Sequence, residues 1–544
     1  MAGGETTNKD NMKLNQLIFA TFAGMQLVFP AWAADDTATN STGAAQAEIP
    51  AYAASGGATQ SVEAAEIEAL KKEVQELSQQ VRALAHQRDL DQQPNAAVAA
   101  DQIQDLDHKV RILGRQRELD QESAIAAAKA QPRFTAGANG FSFGSADSNF
   151  VVALHGVIQV DSRTFEQNDK VPGNDSILLR RARPILSGTV FHYFDFLFVP
   201  EFGGGTPGAS SATTPSIYDA YVNYRYSPAF QIQAGKFKAP IGLEQLQADV
   251  NTSFNERSLV TDLVPNRDLG FEVHGDIAGG VLSYAAGIFN GVGDARNSSN
   301  IGFQDDREFD GRLFIQPFKQ TSLKPLQNLG FGVGGSWGDS SITNTLGLPN
   351  TTGGSQPGYF TDGQQQFFAY TNGVVASRTH WRLSPQAYYY YGPLSLMGEY
   401  AISDQQMRRN VGTSTYNADL QNTAWEISGG WVLTGEDATF NGVTPKHPFD
   451  LRNCQWGALQ VVGRYADLAI DNAAFPLFAN PASASEARSW AVGLNWYLNR
   501  NIRVNASYSH TSFTGGAGGS PSTAPGSVSS HPEDVVFTRV QLSF

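Results

Sequence analysis

Apolar and polar residues alternate along most of this chain from Phe150 onward, and this period of two constrains the fold more than any other feature of the sequence. Near the start of the stretch, Ile158 and Val160 alternate with Gln159 and Asp161. Such alternation places the two kinds of side chain on opposite faces of a β-strand. Most segments have about the 9–11 residues that a tilted strand needs to cross a bilayer. We count sixteen, near 150–164, 177–191, 193–203, 216–227, 229–238, 269–277, 280–289, 307–318, 328–338, 378–391, 393–403, 422–435, 454–470, 486–498, 500–512 and 534–544.

The connections between these segments alternate in length. Two-residue or three-residue turns such as 192–193 and 227–229 are followed by long loops, which are predicted at 239–268, 290–306, 339–377, 404–421 and 513–533. An even strand number with short turns on one side and long loops on the other is typical of transmembrane barrels. Only the segment 436–453 breaks the pattern, because it is long where a turn is due. We therefore predict an all-β fold, a 16-stranded antiparallel transmembrane β-barrel over residues 132–544, preceded by an N-terminal α-helical coiled-coil segment.

Other classes of protein fit the sequence less well. No run of about 18 apolar residues occurs, so membrane-spanning helices are not predicted. A soluble β-sandwich or propeller is the alternative, but it would require a second apolar sheet or a blade-length repeat. The net charge of −14 argues against nucleic-acid binding, which needs a basic surface. Because Cys454 is the only cysteine, no intramolecular disulfide framework is expected.

Two segments are predicted to precede the first helix. Residues 12–33 combine a basic start, a short apolar stretch and the small-residue pattern Ala31-Trp32-Ala33, as in a secretory signal peptide. We therefore assign residues 1–33 to a signal peptide. Residues 34–61 are rich in Ala, Thr, Ser and Gly and are predicted to form a flexible linker.

Residues 62–131 carry the spacing of a coiled coil. Apolar residues recur at alternating intervals of three and four, first from Ile67 to Leu84 and again from Ile103 to Leu113. An amphipathic helix of this length has nothing of its own to bury its apolar side, so self-association is the favoured interpretation. A helix packed against the following domain is the alternative.

The sequence contains no recognisable catalytic or metal-binding constellation. The Gly-rich stretch 330–335 lies inside a predicted strand with no helix after it, so it lacks the context of a phosphate-cradling loop. The nine histidines show no ligand spacing, and no Gly-x-Ser-x-Gly elbow occurs. A barrel enzyme would need a nucleophile beside a His and an acid, and His274 with Asp276 lacks one. We predict neither an enzyme nor a cofactor.

Several short motifs follow one another in a recognisable order. They include Leu179-Arg-Arg-Ala-Arg183, Tyr218-Asp-Ala-Tyr221, Gly235-Lys-Phe-Lys-Ala-Pro240 and Pro265-Asn-Arg-Asp-Leu-Gly270. Together they resemble the phosphate-selective porin O/P family, over roughly residues 140–544. The resemblance implies a barrel in the outer membrane of a Gram-negative bacterium, in contact with lipid and lipopolysaccharide. It also implies a homotrimer and passive uptake of small anionic solutes through a channel narrowed by infolded loops.

The alternation also assigns charged residues to the lumen. Arg181 and Arg183 share one face with Ser187, opposite Ala182 and Leu186, so both are expected to point inward, with Arg180 at the strand end. Strict alternation turns Lys236 and Lys238 outward, which predicts a bulge or a position above the membrane. The predicted pore-lining and anion-binding residues are Arg181, Arg183, Arg225, Lys236, Lys238, Arg257, Arg267, Arg312 and Arg382.

The net charge of the barrel region weakens the case for phosphate as its solute. Residues 133–544 hold 6 Lys and 21 Arg against 34 Asp and Glu, a balance of −7, whereas a basic funnel for phosphate would be rich in Lys. The predicted function is an outer-membrane porin for passive diffusion of small solutes, with anions such as phosphate or polyphosphate as candidates. The alternative is a structural outer-membrane protein whose periplasmic coiled coil tethers the barrel to the cell wall or a partner, with conduction secondary.

Overall fold

The chain is described by a computed structural model. The described residues are 72, 75–84, 96–166, 175–204, 215–298, 307–339, 358–516 and 531–544. The predicted signal peptide (1–33) and linker (34–61) lie outside them. Within the predicted coiled-coil segment, residues 75–84 are helical and helix α1 covers Ala96–Ala130. Pairing of α1 with another helix stays a prediction. Among the described residues, no helix combines the length and the apolar character needed to span a bilayer.

Strands dominate the remainder of the described chain. A short helix, α2 (Leu243–Leu246), and a 3₁₀ helix (Leu259–Leu263) follow the seventh strand. The strands are β1 (Arg133–Gly137), β2 (Gly140–Gly144), β3 (Phe150–Phe165), β4 (Ser176–Val190), β5 (Phe194–Glu201), β6 (Ser216–Ser227), β7 (Phe230–Lys238), β8 (Arg267–Ile277), β9 (Leu282–Phe289), β10 (Glu308–Ile315), β11 (Leu329–Asp339), β12 (Tyr359–Phe360), β13 (Gln366–Phe368), β14 (Val374–Tyr391), β15 (Leu394–Val411), β16 (Ser414–Val432), β17 (Ala438–Thr439), β18 (Gly442–Val443), β19 (Ala458–Ala469), β20 (Glu486–Tyr497), β21 (Ile502–Thr514) and β22 (Glu533–Ser543).

Sixteen of these strands form one closed antiparallel barrel. They are β3–β11, β14–β16 and β19–β22, each paired with the next in chain order. The barrel closes where β22 pairs with β3, from Val535 opposite Phe165 to Ser543 opposite Val157. The predicted sixteen-stranded barrel is therefore confirmed. Closure pairs each of these sixteen strands on both sides, so none of them has a free edge in the bilayer.

The two faces of the barrel wall differ in character, as the alternation predicts. On β19 and β20, Val461, Trp490 and Val492 are exposed on the outside, whereas Arg464 and Ser489 are buried on the inside. Because backbone hydrogen bonds are satisfied within the sheet, the outer face needs only apolar side chains to lie in lipid. The alternation thus sets which residues are available to the lumen.

One predicted long loop is wrong. Residues 404–421 extend strands β15 and β16, which pair up to Val411 opposite Ser414. Gly412 makes the two-residue turn at a φ of 61°, a left-handed conformation that glycine adopts without strain. The residues of this extension are mostly polar, so the alternation of apolar and polar residues ends there although the two strands remain paired.

The first two strands of the barrel contain an extra residue. Gln159 lies opposite Arg181 and Val160 lies opposite Leu179, so Arg180 has no partner across the ladder. This β-bulge turns Arg180 to the same side of the sheet as its neighbour Arg181. The expectation that Arg180 sits at a strand end is therefore wrong, because it lies in the middle of β4.

The long connection at 433–457 contains the small β17–β18 hairpin. Ala438 and Val443 of this hairpin are buried against Tyr390, Val432 and Tyr497 of the barrel wall. We call this end of the barrel, which also carries the short connections, the turn end, and the opposite end the long-loop end. The hairpin therefore places extra polypeptide at the turn end.

Candidate functional site: the loop inside the barrel

The connection between β7 and β8, residues 239–266, folds into the barrel, and we call it the inner loop. Its backbone carbonyl oxygens accept hydrogen bonds from side chains of five wall strands. The donor and acceptor pairs are Gln386 Nε2 to Ile241 at 2.7 Å, Gln541 Nε2 to Val250 at 3.1 Å, Arg503 Nη1 to Thr252 at 2.9 Å, Asn495 Nδ2 to Ser253 at 3.0 Å and Arg464 Nη1 to Glu256 at 3.0 Å. These contacts satisfy polar backbone that would otherwise be buried alone.

Asp249 is the first of two inner-loop acids that gather arginines. Its carboxylate lies 2.6 Å from Arg257 Nη1 and 3.4 Å from Arg181 Nε, and it also pairs with Arg183. Tyr218 donates its hydroxyl to the same carboxylate at 3.1 Å. Burial by itself would raise the pKa of Asp249, but the guanidinium groups outweigh burial and hold that pKa well below its ordinary value.

Glu256 is the second such acid. It accepts from Arg163 Nη2 at 2.8 Å and from Arg180 Nε at 2.6 Å, while Arg539 Nη2 lies 3.9 Å away. Arg539 makes a two-armed pair with Asp161, at 2.6 and 2.7 Å. Burial opposes ionisation of Glu256, but Arg180 and Arg163 lower its pKa far below the ordinary value.

These contacts define the arginine cluster: Arg163, Arg180, Arg181, Arg183, Arg257 and Arg539. The acids paired with it are Asp161, Glu201, Asp249 and Glu256. Six guanidinium groups therefore meet four carboxylates, which leaves a surplus of two positive charges beside the inner loop.

Tyr218 organises two of the arginines. The guanidinium groups of Arg183 and Arg267 both lie over its ring, each with Cζ 3.6 Å from the ring centroid. Two guanidinium groups cannot both lie that close to the same face of the ring, so one lies on each face of Tyr218. Arg267 also pairs with Asp219 at 3.3 Å. The stacking favours Arg over Lys at both positions because it uses the flat face of the guanidinium group.

The side of the lumen near β14–β20 is filled with protein. Apolar residues of the inner loop, including Ile241, Leu259 and Leu263, form one buried cluster with Phe367 and Phe368 from another long connection. On the opposite side, between the inner loop and the turn end, a cavity of about 470 Å³ remains. This cavity lies along β3–β10.

Comparison with known proteins identifies the family. The sequence model described as "Phosphate-selective porin O and P" matches residues 152–516, which is more than half of the chain. The chain belongs to this porin family. A curated relative, Porin O of Pseudomonas aeruginosa, is 23% identical over 393 residues, covering 68% of this chain and 84% of Porin O. The molecule is thus an outer-membrane channel protein.

Solved porin structures show similar barrels. The outer membrane channel DcaP of Acinetobacter baumannii is 10% identical, with a TM-score of 0.45, and the match covers 74% of this chain and 99% of DcaP. An anion-selective porin from Comamonas acidovorans is 12% identical, with a TM-score of 0.42, and the match covers 73% of this chain and all of that chain.

Four predicted site residues of this porin meet at the inner loop. Arg181, Arg183 and Arg257 belong to the arginine cluster, and Arg267 stacks beside it on Tyr218. Each is largely buried, so these guanidinium groups hold the loop, and Arg183 and Arg267 also line the cavity.

The two predicted lysines lie at the entry of the inner loop. Lys238 donates to the backbone oxygens of Leu246 at 3.1 Å and Gln247 at 2.7 Å. Lys236 is buried, with 7% of its surface exposed. Of the two predicted explanations, the bulge is wrong, because the ladder between β7 and β8 is regular from Gln231 to Lys238. A position above the membrane stays a prediction.

The remaining three predicted arginines lie apart from the cluster. Arg225 sits near the turn end, donates to the His192 carbonyl at 3.0 Å and is half-exposed. Arg312 lines the cavity and donates to Gln386 at 2.9 Å. Arg382 has no exposed side-chain surface and pairs with Asp294 and Glu308, each at 2.8 Å. Its placement among the pore-lining residues is therefore corrected, because a solute has no surface to touch.

Several residues of the site were not expected from the sequence. Arg163 on β3 and Arg539 on β22 face the lumen. Both follow the alternation that predicts an inward direction for Arg181 and Arg183, so the same argument predicts theirs. Asp249 and Glu256 carry no such signal, because their arginine partners on β3 and β4 lie between 66 and 93 residues away along the chain. Among the described residues, no group of three or more His, Cys, Asp or Glu is placed to hold a metal ion.

Proposed function

We propose that this porin passes small anions, phosphate and short polyphosphates among them, by diffusion along the β3–β10 side of its lumen. The observation that carries the proposal is the surplus of two guanidinium groups in the arginine cluster, within a barrel region whose overall balance is negative. Fixed positive charge at a narrow, low-dielectric point lowers the barrier for anions and raises it for cations.

Reversal potentials in planar bilayers test this proposal. With the full chain between unequal KCl solutions, we expect a reversal potential on the chloride side, and added phosphate should reduce the chloride current by competition. A reversal potential on the potassium side would overturn the proposal.

Substitutions locate the selectivity. The double variant Arg181→Gln with Arg183→Gln removes two charges of the cluster, so anion preference should fall. Arg488→Gln is the matched control, since Arg488 is exposed and pairs with Glu486 and Asp467 away from the cluster. Equal effects of the two changes would assign selectivity to some other part of the barrel.

We also propose that three copies of the porin associate and that α1 contributes to the contact from the periplasm. Along α1, Val110 and Leu113 are exposed, as are Val81 and Leu84 in the preceding helical residues. Apolar side chains at this spacing are buried when helices pair. Light scattering of the full chain in detergent should give a trimer mass, and deletion of 62–131 should weaken it. A monomeric full chain would contradict the proposal.

A further inference from the structure

The 470 Å³ cavity between the inner loop and the turn end is large enough to hold a small organic molecule. Leu246 and Asn251 of the inner loop border it on one side, and Asp276 and Asn441 border it towards the turn end. Its volume falls within the roughly 300–1,000 Å³ of sites that hold small molecules. A solute that moves along this side of the lumen has to cross it.

One wall of the cavity is apolar. Val157, Leu197, Val199 and Phe237 contribute to it from β3, β5 and β7, and each side chain lies on the inner face of the barrel. An inorganic ion gains nothing from such a surface, whereas a hydrocarbon segment of a solute is stabilised by leaving water. The wall therefore favours a solute with an apolar body.

The turn-end part of the cavity contains an acid with one oxygen that accepts no hydrogen bond within the described chain. Glu272 of β8 lines the cavity, is 3% exposed, and its Oε2 has no hydrogen-bond partner among the described residues. A buried carboxylate oxygen without a donor is costly, and a cationic amine would supply both charge and donors.

The loop-side part offers a cation with an unused donor. Lys238 lines the cavity, and its ammonium group donates to two backbone oxygens in the described structure, whereas an ammonium has three donors. Lys238 pairs with Arg267 across the ladder, and Gln233, five residues before it, pairs with Glu272. Five residues span roughly 16 Å along a strand, so Glu272 and Lys238 lie towards opposite ends of the cavity.

We propose that this cavity is a binding subsite for small zwitterions whose amine and carboxylate stand at opposite ends of a short apolar chain. The amine meets Glu272, the carboxylate meets Lys238, and the chain lies on the apolar wall. The inference rests on the proposed function in one respect, since it places the subsite on the same solute path.

Calorimetric titration of the detergent-solubilised porin tests the subsite without requiring conduction. The probes are 6-aminohexanoate, hexanoate and hexylamine, which share one chain length and differ in their charged ends. We expect 6-aminohexanoate to bind at least about tenfold more tightly than either single-charge probe, because each charged end gains a charge-assisted bond. Equal affinities for 6-aminohexanoate and hexanoate would overturn the proposal.

Substitutions test which residue binds each charged end of the zwitterion. Glu272→Gln should weaken 6-aminohexanoate about tenfold or more and leave hexanoate unchanged. Asp276→Asn is the matched control, because Asp276 lines the same cavity but already accepts a hydrogen bond from Ser283. An equal loss in both variants would reduce the effect to general electrostatics and overturn the assignment.

A second variant keeps the test independent of the folding of Glu272→Gln. Lys238→Met should weaken 6-aminohexanoate and leave hexylamine unchanged, and an unaltered affinity for 6-aminohexanoate would overturn the subsite. The proposed function fails separately: a cation-selective reversal potential together with zwitterion binding would refute anion passage and retain the subsite.

Discussion

The substitution Asp249→Asn changes the charge of the inner loop without changing its shape. Asp249 is the partner of Arg181, Arg183 and Arg257, so the amide removes the one carboxylate that these three guanidinium groups share. The surplus of positive charge in the arginine cluster then rises from two to three. We expect stronger anion preference and a less stable inner loop.

The size of both effects follows from the geometry. At an effective dielectric constant of about 20, a carboxylate repels an anion roughly 8 Å away by about 2 kcal/mol. Since about 1.4 kcal/mol is a factor of ten, loss of this repulsion raises the permeability to chloride by up to roughly 30-fold, and channel water and salt reduce the increase to a few-fold. Loss of one partner in a buried ion pair destabilises a protein by about 3–5 kcal/mol.

Two measurements on the same preparation separate these effects. Reversal potentials in planar bilayers at about 0.1 M KCl, where the Debye length is about 10 Å, report the permeability ratio. Thermal unfolding followed by circular dichroism reports stability. Asp419→Asn is the control, because Asp419 lies exposed on the β15–β16 hairpin and its substitution makes the same chemical change outside the arginine cluster.

The result that refutes the reasoning is specific. If Asp249→Asn lowers thermal stability and leaves the permeability ratio equal to that of Asp419→Asn, the arginine cluster has a structural role alone. A permeability ratio that moves toward potassium would show that the unpaired guanidinium groups no longer border the solute path.

Three further predictions concern the wall, the loop and the turn end. Arg539→Gln leaves Asp161 buried without its two-armed partner, so the free energy of unfolding should fall by about 3–5 kcal/mol, while the exposed Arg488→Gln should change melting little. Burial raises the pKa of Asp262 in the inner loop to about 7. Because the same carboxyl ionises near pH 4 in the unfolded chain, it lowers the stability of the folded porin as the pH rises from about 4 to 7. Asp262→Asn should therefore raise the melting temperature at pH 8 and flatten its decline over that range, and an unchanged slope would contradict the assignment. Replacement of residues 437–445 by an Asn-Gly turn removes the β17–β18 hairpin, whose Phe440 carbonyl accepts a hydrogen bond from Gln247 at 2.8 Å. This replacement should raise single-channel conductance. An unaltered conductance would place the hairpin outside the solute path.

The barrel could be predicted from the sequence because its determinants are local. Alternation is read from neighbouring residues, and it fixes the strand, its faces and the inward direction of Arg181 and Arg183. Most strand bounds agree to within a few residues. The error at 404–421 has the same origin, because outward-facing residues of these paired strands, such as Asp404, Gln406 and Asp419, are polar where the prediction requires apolar ones.

The interior of the barrel could not be predicted in the same way. The bulge that turns Arg180 inward depends on the residues of β3, and the pairing of Glu256 with Arg163 depends on the path of a loop. Leu259 and Phe367 belong to one buried apolar cluster although they are more than a hundred positions apart in the chain. Such contacts follow from three-dimensional closure, which no short stretch of sequence encodes.

The pairing of β3 with β22 has a consequence for biogenesis. Asp161 and Arg539 are 378 positions apart, so the contact of longest range in the cluster is among the last that a growing chain can make. Until then β3 has an open edge whose free amides and carbonyls are a template for pairing with other chains. Long-range pairing of this kind is slow and leaves intermediates prone to aggregation. A chaperone that shields this edge during export would act at the step where the nascent porin is most vulnerable.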